Sequence, residues 1–361
     1  MKKAQNAASF TQILMLWHEK YNNRIMPWKG EKDPYKIWLS EIILQQTRVE
    51  QGLDYFLRFV KKYPTVKKLA AAPDNEVFKL WEGLGYYSRC KNLLSAARTI
   101  ATEMNGKFPK QYESILQLKG VGPYTAAAIA SFAYNLPYAV VDGNVNRVLA
   151  RFFGIDTPID STIGKALFNE LAHSILDKER SALYNQAIMD FGATVCKPQL
   201  PLCNICLLQK HCKAYLKNMV NELPVKEKKI AKKHRWFYYI VAEHNNQLLI
   251  KKRITKDIWQ NLHEFLLIET SSHQQPGDIY GSTAFKILAG EKHSILNVSE
   301  GFKQQLTHQT IHASFIHIKM SKKNIPEGME LVEKEAISKL AFPRIINDYL
   351  EKRVEENEPV G

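Results

Sequence analysis

The sequence of 361 residues contains few cysteines and no long hydrophobic run. Its longest apolar stretch, around residues 126–141, is interrupted by Asn135 and Pro137 and is too short to span a bilayer. The polar residues that follow Lys2 and Lys3 indicate that no signal peptide is present. Five cysteines in a chain of this length speak against a secreted disulfide scaffold. We therefore expect a cytoplasmic protein without a membrane partner.

Acidic residues are outnumbered by basic ones. The chain has 36 Asp and Glu against 50 Lys and Arg, a net charge of +14 and a pI near 9.3. A balance this basic favours a polyanionic partner. Nucleic acid is a better candidate than an anionic membrane, because no segment is suited to crossing a bilayer. The length allows two or three domains with cores of their own.

Strand patterns are absent from the first two hundred residues, where apolar residues recur with helical spacing. The front of the chain is therefore predicted to be all-α. The predicted helices cover residues 9–21, 34–47, 51–63, 74–81, 88–104, 112–118, 144–153, 162–176 and 181–194, and another begins at Pro123.

A glycine turn separates two of these helical patterns. Gly120 and Gly122, with Val121 between them, allow a sharp bend, and Pro123 suits the first position of the helix that follows. Backbone N–H groups at such a turn are suited to a phosphate, and Lys119 adds a positive charge. This pattern is typical of a helix-hairpin-helix module that grips a DNA backbone without reading bases. A plain helical hairpin is the alternative on the glycines alone.

One carboxylate, Glu41, lies in the middle of the predicted helix 34–47, whose apolar residues cover most of its surface. A carboxylate among so many apolar neighbours is expected to be desolvated and raised in pKa. The alternative is that Glu41 faces solvent between two buried ridges. Helical spacing permits both.

Four cysteines are spaced C-x6-C-x2-C-x5-C, at Cys196, Cys203, Cys206 and Cys212. Zinc usually takes two close pairs separated by a longer loop. One isolated cysteine followed by a tight group favours one [4Fe–4S] cluster. The remaining cysteine, Cys90, is interpreted as a buried residue without a chemical role.

The chain changes character after the cysteines. Residues 217–235 are rich in lysine without an apolar rhythm and are predicted to be a solvated basic linker. From 236 to 350, short β-type runs such as WFYYIVA and QLLIKK alternate with polar turns and predict an α+β domain. Residues 351–361 are charged and are expected to be a frayed tail.

Together these motifs resemble the endonuclease III superfamily of DNA glycosylases over roughly residues 10–215. The residues that carry the resemblance are LKGVGPYTA, VDGNVNRVLAR and the cysteine spacing. Within that superfamily, the adenine DNA glycosylase (MutY-type) branch is resembled by RIMPWK, PYKIWLSEIILQQTRVE, GLGYYSR and NQAIMDFGATVCKP. The resemblance implies an all-α helix-hairpin-helix glycosylase domain at 1–216, with the iron–sulfur loop at 196–212.

The C-terminal segment WQNLHEFLLIE is similar to part of a Nudix (MutT-like) fold. The catalytic Nudix box is missing from the sequence, so pyrophosphohydrolase activity is not expected. The resemblance implies a Nudix-like domain at 236–350 that recognises 8-oxoguanine.

The resemblance implies catalytic roles for four residues. Glu41 matches the family's acid, which protonates adenine at N7, and Asp142 matches the carboxylate that stabilises the cationic sugar. We expect opposite pKa shifts, with Glu41 raised and Asp142 kept ionised by the helix start beside it. Asn144 and Tyr124 are expected to orient Asp142 and the attacking water. Tyr124 matches the position of the lysine in lyase members, so a monofunctional enzyme is implied.

The resemblance also implies residues that contact DNA. Gln46 and Tyr86 would fill the stack around a mismatch, with Thr47 and Arg24 nearby. Lys119 and the backbone of the glycine turn would hold a phosphate. Tyr86 and the adjacent Tyr87 are ordinary core residues in the alternative interpretation.

The family places a Phe-Ser-His loop against 8-oxoguanine. The best match is Leu306-Thr307-His308, in which an aliphatic side chain replaces the aromatic one. A different register places Thr310-Ile311-His312 in the loop, but Ile311 lacks a hydroxyl.

The implied reaction is hydrolysis of the N-glycosidic bond of adenine mispaired with 8-oxoguanine or guanine in double-stranded DNA, which leaves an abasic site. The first alternative is a bifunctional endonuclease III-like enzyme for oxidised pyrimidines. The second is a non-catalytic DNA-binding protein with structural zinc. A monomer is expected, and docking of a sliding clamp or an abasic-site endonuclease is left open.

Overall fold

A computed structural model of the chain describes residues 2–227, 232–289, 293–320 and 325–357. These residues form two compact units. The first consists of the described residues of Met1–Ala71 and Asn92–Lys228. The second consists of Ala72–Lys91 and the described residues of Lys229–Gly361. The domain boundaries given by the sequence stay a prediction.

The front of the chain is helical, as predicted. The described residues up to 227 contain helices, turns and loops but no strand. The helices are α1 (Lys2–Tyr21), α2 (Pro34–Leu44), α3 (Val49–Lys62), α4 (Val66–Ala70), α5 (Asp74–Trp81), α6 (Tyr87–Glu103), α7 (Tyr112–Leu116), α8 (Pro123–Tyr134), α9 (Gly143–Phe153), α10 (Thr162–Ser174), α11 (Ser181–Thr194) and α12 (Lys213–Leu216).

Helix boundaries differ from the predictions at two informative places. α1 begins well before Ser9, because the preceding alanines are strong helix formers. α2 ends at Leu44 rather than at Thr47, because Gln45 leaves the helical conformation and Gln46 adopts a positive φ of 57°. A residue other than glycine rarely takes this left-handed conformation. The turn after α2 therefore holds a non-glycine residue, Gln46, in an unusual backbone conformation.

One core cluster of the first unit is built mainly by α1, α9, α10 and α11. Phe10 of α1 packs on Phe152 of α9, with ring centroids 4.8 Å apart. Trp17 of α1 meets Phe191 of α11 edge to face at 4.9 Å. These buried aromatic pairs fix α9 and α11 against the same partner helix.

The segment between α8 and α9 is attached to α11 by the buried Asn185. Its Nδ2 donates to the Tyr138 carbonyl and to Ser131 Oγ, both at 2.8 Å, and its Oδ1 accepts the Val140 N–H at 3.0 Å. These three hydrogen bonds of the buried amide are all directed at residues 131–140. Since Asp142 follows this stretch directly, its backbone position is set by α11.

α2 and α8 pack against each other as two largely buried helices. Asp33 caps α2 by accepting the Tyr35 N–H at 2.9 Å. Gln45 Nε2 donates to Thr125 Oγ1 of α8 at 3.2 Å. The buried residues of α2 include Trp38 and Ile43 and also Glu41.

The second unit is an α+β fold, as predicted. Its described strands are β1 (Lys233–His244), β2 (Gln247–Lys252), β3 (His263–Glu264), β4 (Leu266–Thr270), β5 (His293–Gln305), β6 (Gln309–Met320) and β7 (Met329–Glu333). The helices α13 (Pro276–Gly281), α14 (Thr283–Ala289), α15 (Lys334–Ile337) and α16 (Arg344–Asn357) accompany them.

These strands form one mixed sheet. The order is β3-β2-β1-β6-β5, with β4 pairing with β1 and β7 with β2. β1 and β6 are parallel, and the other pairs are antiparallel. Phe285 of α14 packs with Tyr238 on one face of the sheet, and Tyr349 of α16 stacks on Phe315 at 4.0 Å on the other. The sheet is therefore covered by helices on both faces.

The ends of the second unit differ from the sequence expectations. β1 begins at Lys233, three residues before the predicted domain start, and α16 continues to Asn357 through most of the expected tail. The expectation of a solvated linker does not hold for the buried part of 217–235. Leu223 is 2% exposed, and Met219 packs against the same core of the first unit. Residues 228–231 of that segment lie outside the described residues.

None of the helices in the described part of the chain is long and apolar enough to cross a membrane.

Candidate active site and DNA-facing residues

Glu41 lies on α2 at a cleft of about 900 Å³ in the first unit. Glu41 is only 9% exposed, so the interpretation in which it faces solvent is wrong. Burial raises its pKa to about 7, the negative charge of Asp142 adds to the rise, and a hydrogen bond from Tyr124 opposes it. Near neutral pH this carboxyl group can both hold and release a proton.

Tyr124 occupies the first turn of α8, directly after Pro123. Its phenol donates a hydrogen bond to Glu41. Burial raises the pKa of Tyr124, and the charges of Glu41 and Asp142 raise it further. The phenol is therefore held neutral as a hydrogen-bond donor between two carboxylates.

Asp142 is the N-cap of α9. Its Oδ1 accepts the Val145 N–H at 2.7 Å, and its Oδ2 accepts Asn144 Nδ2 at 2.7 Å. Burial raises the pKa of Asp142, while these donors and the Arg147 guanidinium lower it. The expectation of opposite shifts is wrong, because the pKa values of both Glu41 and Asp142 are raised. What distinguishes Asp142 is its set of donors, all of which stabilise the ionised form.

Arg147 of α9 is buried beneath this cap, and sequence reasoning missed it. Its Nη2 donates to Asn144 Oδ1 at 2.8 Å and to the Gly192 carbonyl at 2.7 Å, and its Nε donates to the Cys196 carbonyl at 2.8 Å. Asn144 is thus held between Asp142 and Arg147. Arg147 could have been found from its position three residues after Asn144, because this spacing places both side chains on one side of a helix.

Three predicted DNA contacts line the same cleft as Glu41. They are Arg24, Gln46 and Thr47. Arg24 forms an ion pair of 2.9 Å with the buried carboxylate of Asp190, a residue that sequence reasoning also missed. The structure therefore brings the four predicted catalytic residues and these three together.

The glycine turn has the predicted shape. Gly120 adopts φ 81°, and a Cβ there would lie 2.6 Å from the Cβ of Asn92. The Val121 N–H closes the turn on the Leu118 carbonyl at 3.0 Å. Lys119 is exposed, and Gly122 is the N-cap of α8. Glycine is required at position 120 both for its dihedral angle and for the close approach.

Tyr86 and Thr307 meet within the second unit, where their hydroxyl groups are hydrogen-bonded. Tyr86 adopts a positive φ of 46° and is exposed, with the Arg89 guanidinium 5.6 Å from its ring centroid. By contrast, Tyr87 is buried, as in the core alternative. The sequence left both tyrosines open between a base-stacking and a core position, and the structure exposes Tyr86 and buries Tyr87.

The loop between β5 and β6 contains Leu306, Thr307 and His308. Thr307 and His308 are exposed at this turn. Thr310 is 2% exposed and Ile311 is fully buried, since both already belong to β6. The alternative register would therefore need to take side chains out of the sheet.

The four cysteines lie in the loop between α11 and α12, partly buried against the core of the first unit. Burial raises the pKa of Cys206 to about 12, and nearby Cys196, Cys203 and Cys212 raise it further. Arg151 Nη1 donates to Cys196 Sγ at 3.5 Å. Among the described residues, no three ligand side chains are close enough to share one metal ion.

Comparisons with known proteins agree with this geometry. Residues 39–172 match the model of the "HhH-GPD superfamily base excision DNA repair protein", and residues 237–352 match the NUDIX domain. A solved thermostable thymine-DNA glycosylase is 28% identical with a TM-score of 0.56, covering 60% of this chain and all of that one. An endonuclease III–DNA complex, at 22% identity and a TM-score of 0.52, shows the shared fold. Fold and site define a helix-hairpin-helix DNA glycosylase of base excision repair.

Curated relatives narrow the class. The adenine DNA glycosylase of Buchnera aphidicola subsp. Baizongia pistaciae is 34% identical over 319 residues, covering 88% of each chain. That of Rattus norvegicus is 42% identical over 220 residues, covering 58% of this chain and 42% of its own. The chain belongs to the adenine DNA glycosylase family. It is a hydrolase of N-glycosyl bonds. These relatives favour an adenine DNA glycosylase over the alternative of an endonuclease III-like lyase.

Gly192 of α11 supports the position of Asn144, which gives a first prediction. A Cβ at Gly192 would lie 2.7 Å from the Cβ of Asn144 and 3.0 Å from its carbonyl oxygen. In Gly192→Ala the start of α9 must shift, and with it Asn144 and Asp142. We expect the single-turnover rate of base release to fall by about 10- to 100-fold, because small misplacements in active sites are costly.

Gly277→Ala is the matched control, since nothing lies within 4 Å of a Cβ at that position. It should release adenine at the rate of the unchanged enzyme. A normal rate in Gly192→Ala, in a protein with normal thermal stability, would contradict the role given to this contact.

Proposed function

We propose that the enzyme removes adenine mispaired with 8-oxoguanine or guanine from double-stranded DNA and leaves an abasic site. The observation that carries this proposal is the arrangement of Glu41, Tyr124 and Asp142 at one cleft of the first unit. Adenine must leave the base stack to reach these groups, so the mechanism requires base flipping. A cleft of about 900 Å³ has room for a flipped nucleotide.

Glu41 acts as the general acid. Adenine leaves poorly as an anion, and protonation at N7 turns it into a good leaving group. A carboxyl group with its pKa raised to about 7 carries a proton on a substantial fraction of molecules at neutral pH. The hydrogen bond from Tyr124 fixes the orientation of the carboxyl group.

Asp142 stabilises the cationic sugar that forms as the base departs. The transition state of glycosidic cleavage is oxocarbenium-like, and an ionised carboxylate nearby lowers its energy. The donors Val145 N–H and Asn144 Nδ2 support the ionised form of Asp142. Asn144 is in turn held by Arg147, which keeps its amide oriented toward Asp142.

The enzyme acts without strand cleavage. A lyase needs an amine that can attack the sugar, and Tyr124 stands where the resemblance places that lysine. Two lysines do line the cleft, but both are engaged. Lys29 Nζ lies 3.3 Å from Asp190 Oδ2, and Lys32 Nζ donates to the Phe132 carbonyl at 3.1 Å. We infer that neither acts as a nucleophile.

The base opposite adenine is recognised by Tyr86 and the loop Leu306-Thr307-His308. The hydrogen bond between Tyr86 and Thr307 supports this proposal, because it joins a residue expected at the mismatch to the loop expected at 8-oxoguanine. Gln46 is expected to fill the stack, and its left-handed backbone conformation supports a preformed wedge. Lys119 and the glycine turn are expected to hold a phosphate.

One [4Fe–4S] cluster is proposed on Cys196, Cys203, Cys206 and Cys212. A single zinc ion needs its four thiolates in one coordination sphere, whereas a four-iron cluster takes one thiolate on each iron. The sequence spacing C-x6-C-x2-C-x5-C, with one isolated cysteine followed by a tight group, supports the cluster. Burial and the charges of neighbouring cysteines raise the pKa values of Cys203, Cys206 and Cys212, which disfavours free thiolates at these positions, and cationic iron would remove that penalty. When bound, the cluster would cross-link the loop.

We further propose a glycosylase domain at 1–216, a Nudix-like domain at 236–350 and a cytoplasmic location. The partner is duplex DNA, in keeping with the net charge of +14.

The protonation state of Glu41 gives a second prediction. The active form is the acid, and its pKa is raised to about 7. The single-turnover rate of adenine release should therefore be highest below pH 7 and fall as the pH rises through it. Glu41→Gln should abolish release and still bind the mispair, as measured by gel shift.

Glu179→Gln is the matched control, because Glu179 is an exposed carboxylate on the same cleft. It should keep both the rate and the pH profile. Release of adenine by Glu41→Gln at the normal rate would show that another group supplies the proton.

The hydroxyl of Thr307 gives a third prediction. Thr307→Ala should reduce the preference for 8-oxoguanine over guanine by about 2- to 10-fold, the worth of one hydrogen bond. Thr283→Ala, an exposed threonine of the same unit, serves as the control. Rates are compared on adenine paired with each base, and an unchanged preference would point to a different loop.

The cysteine ligands give a fourth prediction. The purified protein should be brown and contain about four irons per chain. Cys203→Ser should lose iron, with lower folding yield and DNA affinity, whereas Cys90→Ala should keep it because Cys90 is buried elsewhere. Metal analysis that found zinc, or a Cys203→Ser protein with normal folding and DNA binding, would contradict the proposal.

A further inference from the structure

The buried carboxylate of Asp190 is a charged centre of the cleft that the proposed chemistry does not use. Asp190 lies on α11 and is 0% exposed. Four side-chain donors converge on it. They are Asn22 Nδ2 at 2.8 Å, Arg24 Nη1 at 2.9 Å, Gln186 Nε2 at 3.0 Å and Lys29 Nζ at 3.3 Å. A single carboxylate thus collects donors from two separate parts of the chain.

These contacts fold the segment 22–30, between α1 and α2, around Asp190; we call it the pocket loop. The Arg24 N–H donates to Asn22 Oδ1 at 3.1 Å, and Lys29 Nζ donates to the Arg24 carbonyl at 3.0 Å. The pocket loop has no regular helix or strand of its own. Its conformation therefore depends on the buried anion, which in turn requires these cations to offset its desolvation.

Three of the four donors also line the cleft that contains Glu41. They are Arg24, Lys29 and Gln186. Adenine presents ring nitrogens as acceptors and its exocyclic amino group as a donor. The Arg24 guanidinium can donate to these ring nitrogens through the N–H groups that Asp190 does not use. Because Gln186 directs Nε2 at Asp190, its amide oxygen is the end available to an amino group.

We infer that Asp190 is a positioning residue for the flipped base, acting through Arg24 and Gln186. It fixes which donor and acceptor groups the cleft presents, so that a purine with an amino group is seated against Glu41. This inference rests on the proposed function. It also predicts selectivity between bases. Loss of Asp190 should slow the release of adenine, which has the exocyclic amino group, more than the release of purine, which lacks it.

The test compares two duplexes with 8-oxoguanine opposite either adenine or unsubstituted purine. Single-turnover rates of base release and dissociation constants are measured for the full-length protein. In Asp190→Asn, release of adenine should fall on the order of 100-fold. Release of purine should fall much less, and the affinity for duplex should change little. Asp190→Glu, which restores the charge, should recover part of the adenine rate.

Asp177→Asn is the matched control. It removes another aspartate–arginine pair of the same unit, with Arg180 Nε 3.0 Å from Asp177 Oδ2, but this pair is not buried. Both rates should be unchanged in this variant.

Equal losses on the two bases in Asp190→Asn would mean that Asp190 only stabilises the fold, and unchanged rates would mean that it does not act at all. Either result overturns the inference. If Asp190→Asn does not fold, Gln186→Met decides, because it removes the amide oxygen that is offered to the exocyclic amino group and through which Asp190 acts on adenine. The same adenine-selective loss is expected there, and its absence overturns the inference. An unchanged enzyme that released neither base would overturn the proposed function, and the inference with it.

Discussion

The structure of the proposed active site depends on the burial of one carboxyl group, that of Glu41, in an apolar helix. Removing this group from water raises its pKa to about 7, so that it can hold and release a proton at neutral pH. The nearby charge of Asp142 acts in the same direction. α2 and α8 must therefore pack closely enough to exclude water, yet leave the cleft open on one side. The hydrogen bond from Tyr124 orients the carboxyl group within this arrangement.

The carboxylate of Asp142 is stabilised by hydrogen bonds from protein groups. Asp142 caps α9, Asn144 joins it to Arg147, and Arg147 reaches the carbonyl of Cys196. One end of the proposed cluster loop thus lies two hydrogen-bonded side chains away from a proposed catalytic group. Arg151, one helical turn further along α9, donates to the sulfur of Cys196. α9 therefore links Asp142, its N-cap, to the start of the cysteine loop.

The sequence predicted the parts of this site that depend on local pattern. The apolar surroundings of Glu41 follow from the residues of one helix, and the cap of α9 from a helix start next to Asp142. The pKa shift of Asp142 was predicted in the wrong direction, because helix N–H groups can be read from sequence but burial by distant elements cannot. Asp190 was missed for a related reason: its partner Arg24 is 166 residues away in sequence. The fold class followed from periodicity, whereas the packing of Leu223 into the first unit did not.

The central claim is that adenine is removed by hydrolysis and not by a lyase. The most direct measurement is a single-turnover reaction on a duplex with one adenine opposite 8-oxoguanine, analysed on gels with and without alkali. We predict strand cleavage only after alkali treatment, because an abasic site forms and no amine attacks the sugar. Strand breaks without alkali would show a lyase nucleophile, and no reaction on this duplex would contradict the proposed substrate.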